Sequence, residues 1–170
     1  MIRAKLSTTV AFAVVLATAF GAGMSEEKGS SAAAIRIQEA LAKLEKGDGE
    51  WKRFSVTYDD LHAFHGGLTL TIDGKGKVTQ KAVRQKVGEA RDVSKADLKL
   101  LVDLLQKHKA WEQREPERKP RPDESKARLV IRYGDESVTV WEWYNDLRKN
   151  KRLLEIREAM KKAAWKSAAE

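Results

Sequence analysis

Cysteine is absent from this 170-residue chain, and histidine and proline occur three times each. Without a thiol there is no disulfide framework, no lipidated amino-terminal cysteine, no thiolate nucleophile and no cysteine-ligated zinc. With only His62, His65 and His108, a three-imidazole metal centre would consume every histidine. No serine stands in a nucleophile-elbow frame, no His-Glu-x-x-His segment occurs, and no glycine frame ends in the Lys-Ser or Lys-Thr of a phosphate loop. Aromatic residues make up only 7% of the chain, yet five of them are tryptophan.

The residues present are those of an ordinary folded domain. Hydrophobic residues account for 42% and charged residues for 34%, with 11 glycines, which excludes a wholly disordered chain and a collagen-like one. The length suits one compact domain rather than two. Arg3 and Lys5 precede an apolar stretch from Val10 to Phe20 and the small residues Gly21, Ala22 and Gly23. This is the pattern of an export signal over residues 1–23, with cleavage near Ala19, Ala22 or Gly23. The stretch is short for a spanning helix of about 20 residues, so no stable membrane span is expected once the signal is removed. An exported chain without cysteine points to the periplasm or the secreted space of a bacterium.

Residues 24–31 are small and polar and read as a flexible lead-in to a single domain over residues 32–170. Ile37, Ala40, Leu41 and Leu44 recur at helical spacing, and Gly47-Asp48-Gly49 stops that helix near Lys46. Alternation predicts strands over 54–58 and 68–72, the turn Asp73-Gly74-Lys75-Gly76, and a third strand from Lys77, with 83–87 either continuing it or forming a fourth. Ser94 and Asp97 resemble an N-capping box for a helix over 95–108, whose Leu98, Leu101, Val102, Leu104 and Leu105 form a broad apolar face. Residues 113–126 hold all three prolines and many charges, which predicts an exposed charged loop. A strand pair over 127–133 and 137–143 flanks Gly134-Asp135-Glu136, and a last helix is predicted over 146–166. This order predicts an α+β fold, an antiparallel sheet with helices packed on one face.

Two constellations bear on function. Trp141, Trp143 and Tyr144, followed by Arg148 and Arg152, place aromatic anchors beside positive charge, the composition of a protein-recognition surface. Alternation puts Trp141 and Trp143 on one side of their strand, opposite Val138 and Val140, where they either close a core or stand exposed. The second constellation, Asp59, Asp60, His62 and His65, offers oxygen and nitrogen ligands to a metal ion. That supports the alternative of a metal-dependent enzyme or metal-binding protein using His62 and His65. Nothing singles out a catalytic residue or calls for a cofactor.

The formal charge of +8 falls by two when Arg3 and Lys5 leave with the signal. In the loop over 113–126 basic and acidic residues interleave, which makes a poor nucleic-acid track. For an exported basic chain the expected partners are another exported protein or an anionic cell-envelope polymer, and not nucleic acid.

The run Gly67-Leu68-Thr69-Leu70-Thr71-Ile72-Asp73-Gly74-Lys75-Gly76-Lys77-Val78, then Val93-Ser94-Lys95-Ala96-Asp97-Leu98 leading to Trp111, then the strand pair from Leu129 to Val140, resembles a class of exported bacterial domains of unknown function. The resemblance spans residues 54–165. It implies an α+β fold and an exported location, and it carries over no functional residue.

Overall fold

The structure, a computed structural model, describes residues 30–62, 65–114, 116, 118–119 and 121–166. The expected export signal and most of the lead-in lie outside the described residues. Three helices and five strands follow in the order α1 (Ser30–Lys46), β1 (Phe54–Asp59), β2 (Gly67–Asp73), β3 (Val78–Val83), α2 (Lys95–Lys107), β4 (Lys126–Tyr133), β5 (Glu136–Trp143) and α3 (Lys151–Ala164). The expected α+β class holds. The strands form one sheet in the order β3-β2-β1-β4-β5, and every neighbouring pair is antiparallel.

Strict alternation fixes which face each side chain takes. Phe54, Val56 and Tyr58 of β1 point inward with Leu68, Leu70 and Ile72 of β2 and with Ala127, Leu129, Ile131, Val138 and Val140 of β4 and β5, all of them buried. On this face α1 packs against β4, β5 and α2, while α3 packs against α2 and β2. Ile37, Leu41 and Leu44 of α1, Leu98, Leu101, Val102 and Leu105 of α2, and Leu153, Ile156 and Met160 of α3 complete a single apolar core. Each such aliphatic side chain contributes about 1.5–3 kcal/mol by leaving water. The opposite face carries Thr57, Thr71, Thr79 and Thr139, and the hydroxyls of Thr57 and Thr71 meet across strands at 2.9 Å. The helices therefore cover one sheet face only, as antiparallel sheets permit.

The element ends follow local chemistry. The Ser94 hydroxyl accepts the Asp97 amide at 3.1 Å and donates to the Asp97 carboxylate at 2.8 Å, an N-cap that starts α2 where the sequence places it. β3 stops at Val83 because Arg84 adopts a left-handed φ of 55°, so residues 84–87 neither extend it nor form another strand. The predicted last helix is interrupted. Tyr144–Lys149 form a 3-10 segment, and α3 begins only after Asn150, whose side-chain oxygen accepts the Leu153 amide at 3.1 Å. Asparagine offers the backbone this alternative to continued helix, which periodicity alone does not register. At the far end Arg91 donates to the carbonyls of Ala163 and Lys162, closing α3.

Asp60 is a buried carboxylate, 1% exposed. Its oxygens accept the Tyr58 hydroxyl at 2.9 Å and the Leu68 amide at 2.7 Å, and Arg157 of α3 approaches to 3.4 Å. Burial, then the neighbouring Asp60 charge, pushes the Tyr58 phenol well above its ordinary value, so it remains a donor. Gly67 makes this junction possible: its φ is +140°, and a Cβ there would lie 2.3 Å from the Asp60 carbonyl oxygen.

Candidate functional site

The chemically distinctive residues gather at one end of the sheet. β1 ends there at Asp59, β2 begins at Gly67, β4 begins at Lys126 and β5 ends at Trp143. The segment linking α2 to β4 crosses the same end and is anchored by two side chains. The Gln113 amide accepts from the Trp141 backbone N–H at 2.8 Å and donates to the Trp141 carbonyl at 3.2 Å. It supplies β5, an edge strand, with one rung of a missing neighbour. Arg118 is the second anchor. It donates through Nε to Asp146 at 2.5 Å, and through Nη1 and Nη2 to the two Glu124 oxygens at 2.7 and 2.5 Å. This bidentate, charge-assisted fork ties the loop to the 3-10 segment. The Glu124 carboxylate, 2% exposed, is held below the usual carboxylate range chiefly by the Arg118 hydrogen bonds. Asp146 is lowered by the hydrogen bond from Lys149 and by Arg118.

Trp143 is packed beneath this clasp. It is 7% exposed, its indole N–H donates to the Arg118 carbonyl at 3.3 Å, and the Arg118 guanidinium lies 5.9 Å from its ring centre. Trp141 meets it edge to face with centroids 4.9 Å apart. Lys126, opposite Trp143 in the ladder, sets its ammonium 3.8 Å from the Trp141 ring centre and 5.4 Å from that of Trp143. Both indoles stand on the sheet face away from the helices, as alternation predicts. Trp143 is nevertheless buried, because the loop folds over it, whereas Trp141 is half-buried. Tyr144 is 40% exposed.

Two depressions flank the clasp. The larger, about 550 Å³, is lined by Arg114, Arg118, Glu142, Asp146, Lys149, Asn150, Lys151 and Arg152. The smaller, about 240 Å³, is lined by His65, Arg121, Pro122, Asp123, Glu124, Ser125, Tyr144 and Asn145. In the larger, both carboxylates are engaged: Asp146 by Arg118 and Lys149, and Glu142 by the Asn150 amide at 3.2 Å and the Trp143 N–H at 2.9 Å. Arg152 is 7% exposed. Its Nη1 donates to the carbonyls of Lys109 and Glu112 at 3.2 and 2.8 Å. Its buried Nε has no partner, and no carboxylate among the described residues reaches it within salt-bridge distance. Burial first, and Arg114 next, lower its pKa.

The residues of the metal constellation take separate positions. Asp59, on the outer face of β1, accepts the Thr69 hydroxyl at 2.7 Å, while Asp60 is buried in the junction with Tyr58, Leu68 and Arg157. The His62 and His65 rings stack at 4.6 Å, and His62 Nδ1 accepts the His65 amide at 3.1 Å. Among the described residues no group of three or more His, Asp or Glu is placed to hold a metal ion. His108, at the end of α2, pairs with Glu155 of α3 at 2.7 Å.

Tyr144 thus lines the smaller depression, Trp143 lies under the clasp with Trp141 against it, Arg148 is exposed on the 3-10 segment, and Arg152 is buried in the wall of the larger, basic depression. Sequence reasoning passes over Gln113, Arg114 and Arg118. Their only signal is that the loop places basic residues shortly after Trp111, and its near balance of charge conceals that Glu124 is consumed by Arg118. No helix among the described residues is long and apolar enough to cross a membrane. No protein-family model matches the chain, and no curated protein or solved structure is significantly similar to it.

Proposed function

We propose that this chain is an exported binding module that docks another exported protein with the end of the sheet where β5 meets the 3-10 segment. The observation that carries the reading is the position of Tyr144. Among the described residues only Ile35, Leu100 and Tyr144 are large hydrophobic side chains left exposed, and of these only Tyr144 lines a depression at the clasp. An exposed aromatic at the rim of a concave surface is the kind of anchor from which protein interfaces draw most of their binding energy, and the basic depression lies on the other side of the clasp. Trp141 supplies a second, half-buried aromatic, and exposed Arg148 steers an acidic partner. Buried Trp143 and Arg152 support the surface from beneath. The signal-like residues 1–23 and the lack of cysteine support a function in the periplasm or outside the cell.

The test is capture of a partner from the native exported fraction by residues 24–170, with affinity then measured on the purified pair. Tyr144→Ala and Trp141→Ala should each weaken binding about tenfold or more, and cost about 1 kcal/mol or less of stability. Trp143→Ala should instead destabilise the fold by about 3–5 kcal/mol. Binding unaffected by both surface variants would overturn the reading. One metal ion per chain, lost in a His62→Ala, His65→Ala variant, would favour the metal-dependent alternative.

A further inference from the structure

We propose that the depression over the start of α3 is a binding site for an oxyanion, a carboxylate or phosphate group, held by Arg114, Lys151 and Arg152 together with the first turn of α3. The inference rests on the docking reading only for the biological source of that group. Asn150, Lys151 and Arg152 open the helix and all line the depression. The first amides of a helix lack intrahelical partners and carry the positive end of its dipole, so this end of α3 favours negative charge. The first turn contains no acidic residue.

The second, independent observation is the Arg152 side chain. A guanidinium more than nine-tenths buried normally meets a carboxylate or has all its donors satisfied. Here two backbone carbonyls satisfy Nη1 alone, Nε has no partner, and the nearby Glu142 is already engaged by Asn150 and Trp143. Asp146 is likewise neutralised by Arg118 and Lys149. Against Arg114, Lys151 and Arg152 the lining leaves only the Glu142 carboxylate, so the depression keeps a net positive charge. A planar or tetrahedral oxyanion accepting from a guanidinium fork, an ammonium and a helix amide is the chemistry that completes such a set.

An oxyanion of this kind comes either from an acidic side chain of the docked protein or from a free ion. Residues 24–170 are titrated with inorganic phosphate, with succinate and with a Glu-rich peptide at constant ionic strength, following amide chemical shifts and melting temperature. Saturable shifts confined to Arg114 and residues 150–153 are expected, weakened about tenfold by Lys151→Ala or Arg114→Ala, each removing a charge-assisted contact, and unchanged by Lys81→Ala on β3. Competition between phosphate and the peptide assigns the site to a partner's carboxylate, and phosphate binding that leaves the peptide untouched assigns it to a free ion. Non-saturating shifts that are the same in all variants overturn the proposal. Tyr144→Ala separates the two readings, since it should weaken protein docking about tenfold or more and leave anion binding intact.

Discussion

Arg118 shows how much one residue contributes that no local pattern announces. Its partners lie at Glu124 and Asp146, six and 28 positions along the chain, so the pairing exists only once β4 and β5 have brought the loop and the 3-10 segment together. In sequence it is one basic residue in a charged, proline-containing stretch, which reads as a solvated loop. The clasp predicts a pH dependence. Glu124 and Asp146 have folded-state pKa values depressed below their unfolded ones. Their contribution is therefore present above the unfolded carboxylate pKa, about 4, and lost as pH falls through the folded values. The urea midpoint of the wild-type chain should drop over that acid range. In Arg118→Met, already less stable at neutral pH, the acid slope should be visibly shallower. Equal slopes in the two proteins would mean that the clasp does not act through these carboxylates. Trp141 and Trp143 make the complementary point: alternation correctly gives them a common face but not their different burial, which depends on where the loop carrying Arg118 lies.

Elements with strong local signals were the most legible. The turn at Asp73–Gly76, the capped start of α2 and the hairpin around Gly134 each combine periodicity with turn or cap residues, and the structure keeps them within a residue or two of the predicted bounds. The interrupted last helix was not legible, because Tyr144 to Lys149 and the residues of α3 share one amphipathic period. What divides them is the Asn150 side chain accepting the Leu153 amide, a contact that must outcompete continuation of the helix. Asn150→Ala should cost about 1 kcal/mol in chemical denaturation, within the usual range for losing an N-cap. It should also raise hydrogen-exchange rates in the first turn of α3 ahead of the rest of that helix. An unchanged midpoint would show that packing of Leu147 and Leu153 into the core, rather than the cap, sets where α3 begins.

At the scale of the whole molecule the fold separates two tasks. The helices and the inner sheet face build the core, while the chemically unusual side chains are delivered to one end by the strand termini and by the link from α2 to β4. The fold class was legible from element order alone, because strands followed by helices without alternating strand-helix-strand units favour an antiparallel sheet. The site was legible only in part. Its aromatic residues are adjacent in sequence, whereas Arg114 and Arg118 join Asn150, Lys151 and Arg152 only through the tertiary fold. The central claim is that this end of the sheet, and no other surface, meets a protein partner. It is tested most directly by placing a photo-crosslinking phenylalanine analogue at Tyr144, and separately at Leu100 on α2 and Ile35 on α1, then irradiating residues 24–170 in the native exported fraction. The account predicts one recurrent protein adduct from position 144, and none from positions 100 and 35. A recurrent adduct from 100 or 35 with none from 144 would contradict it.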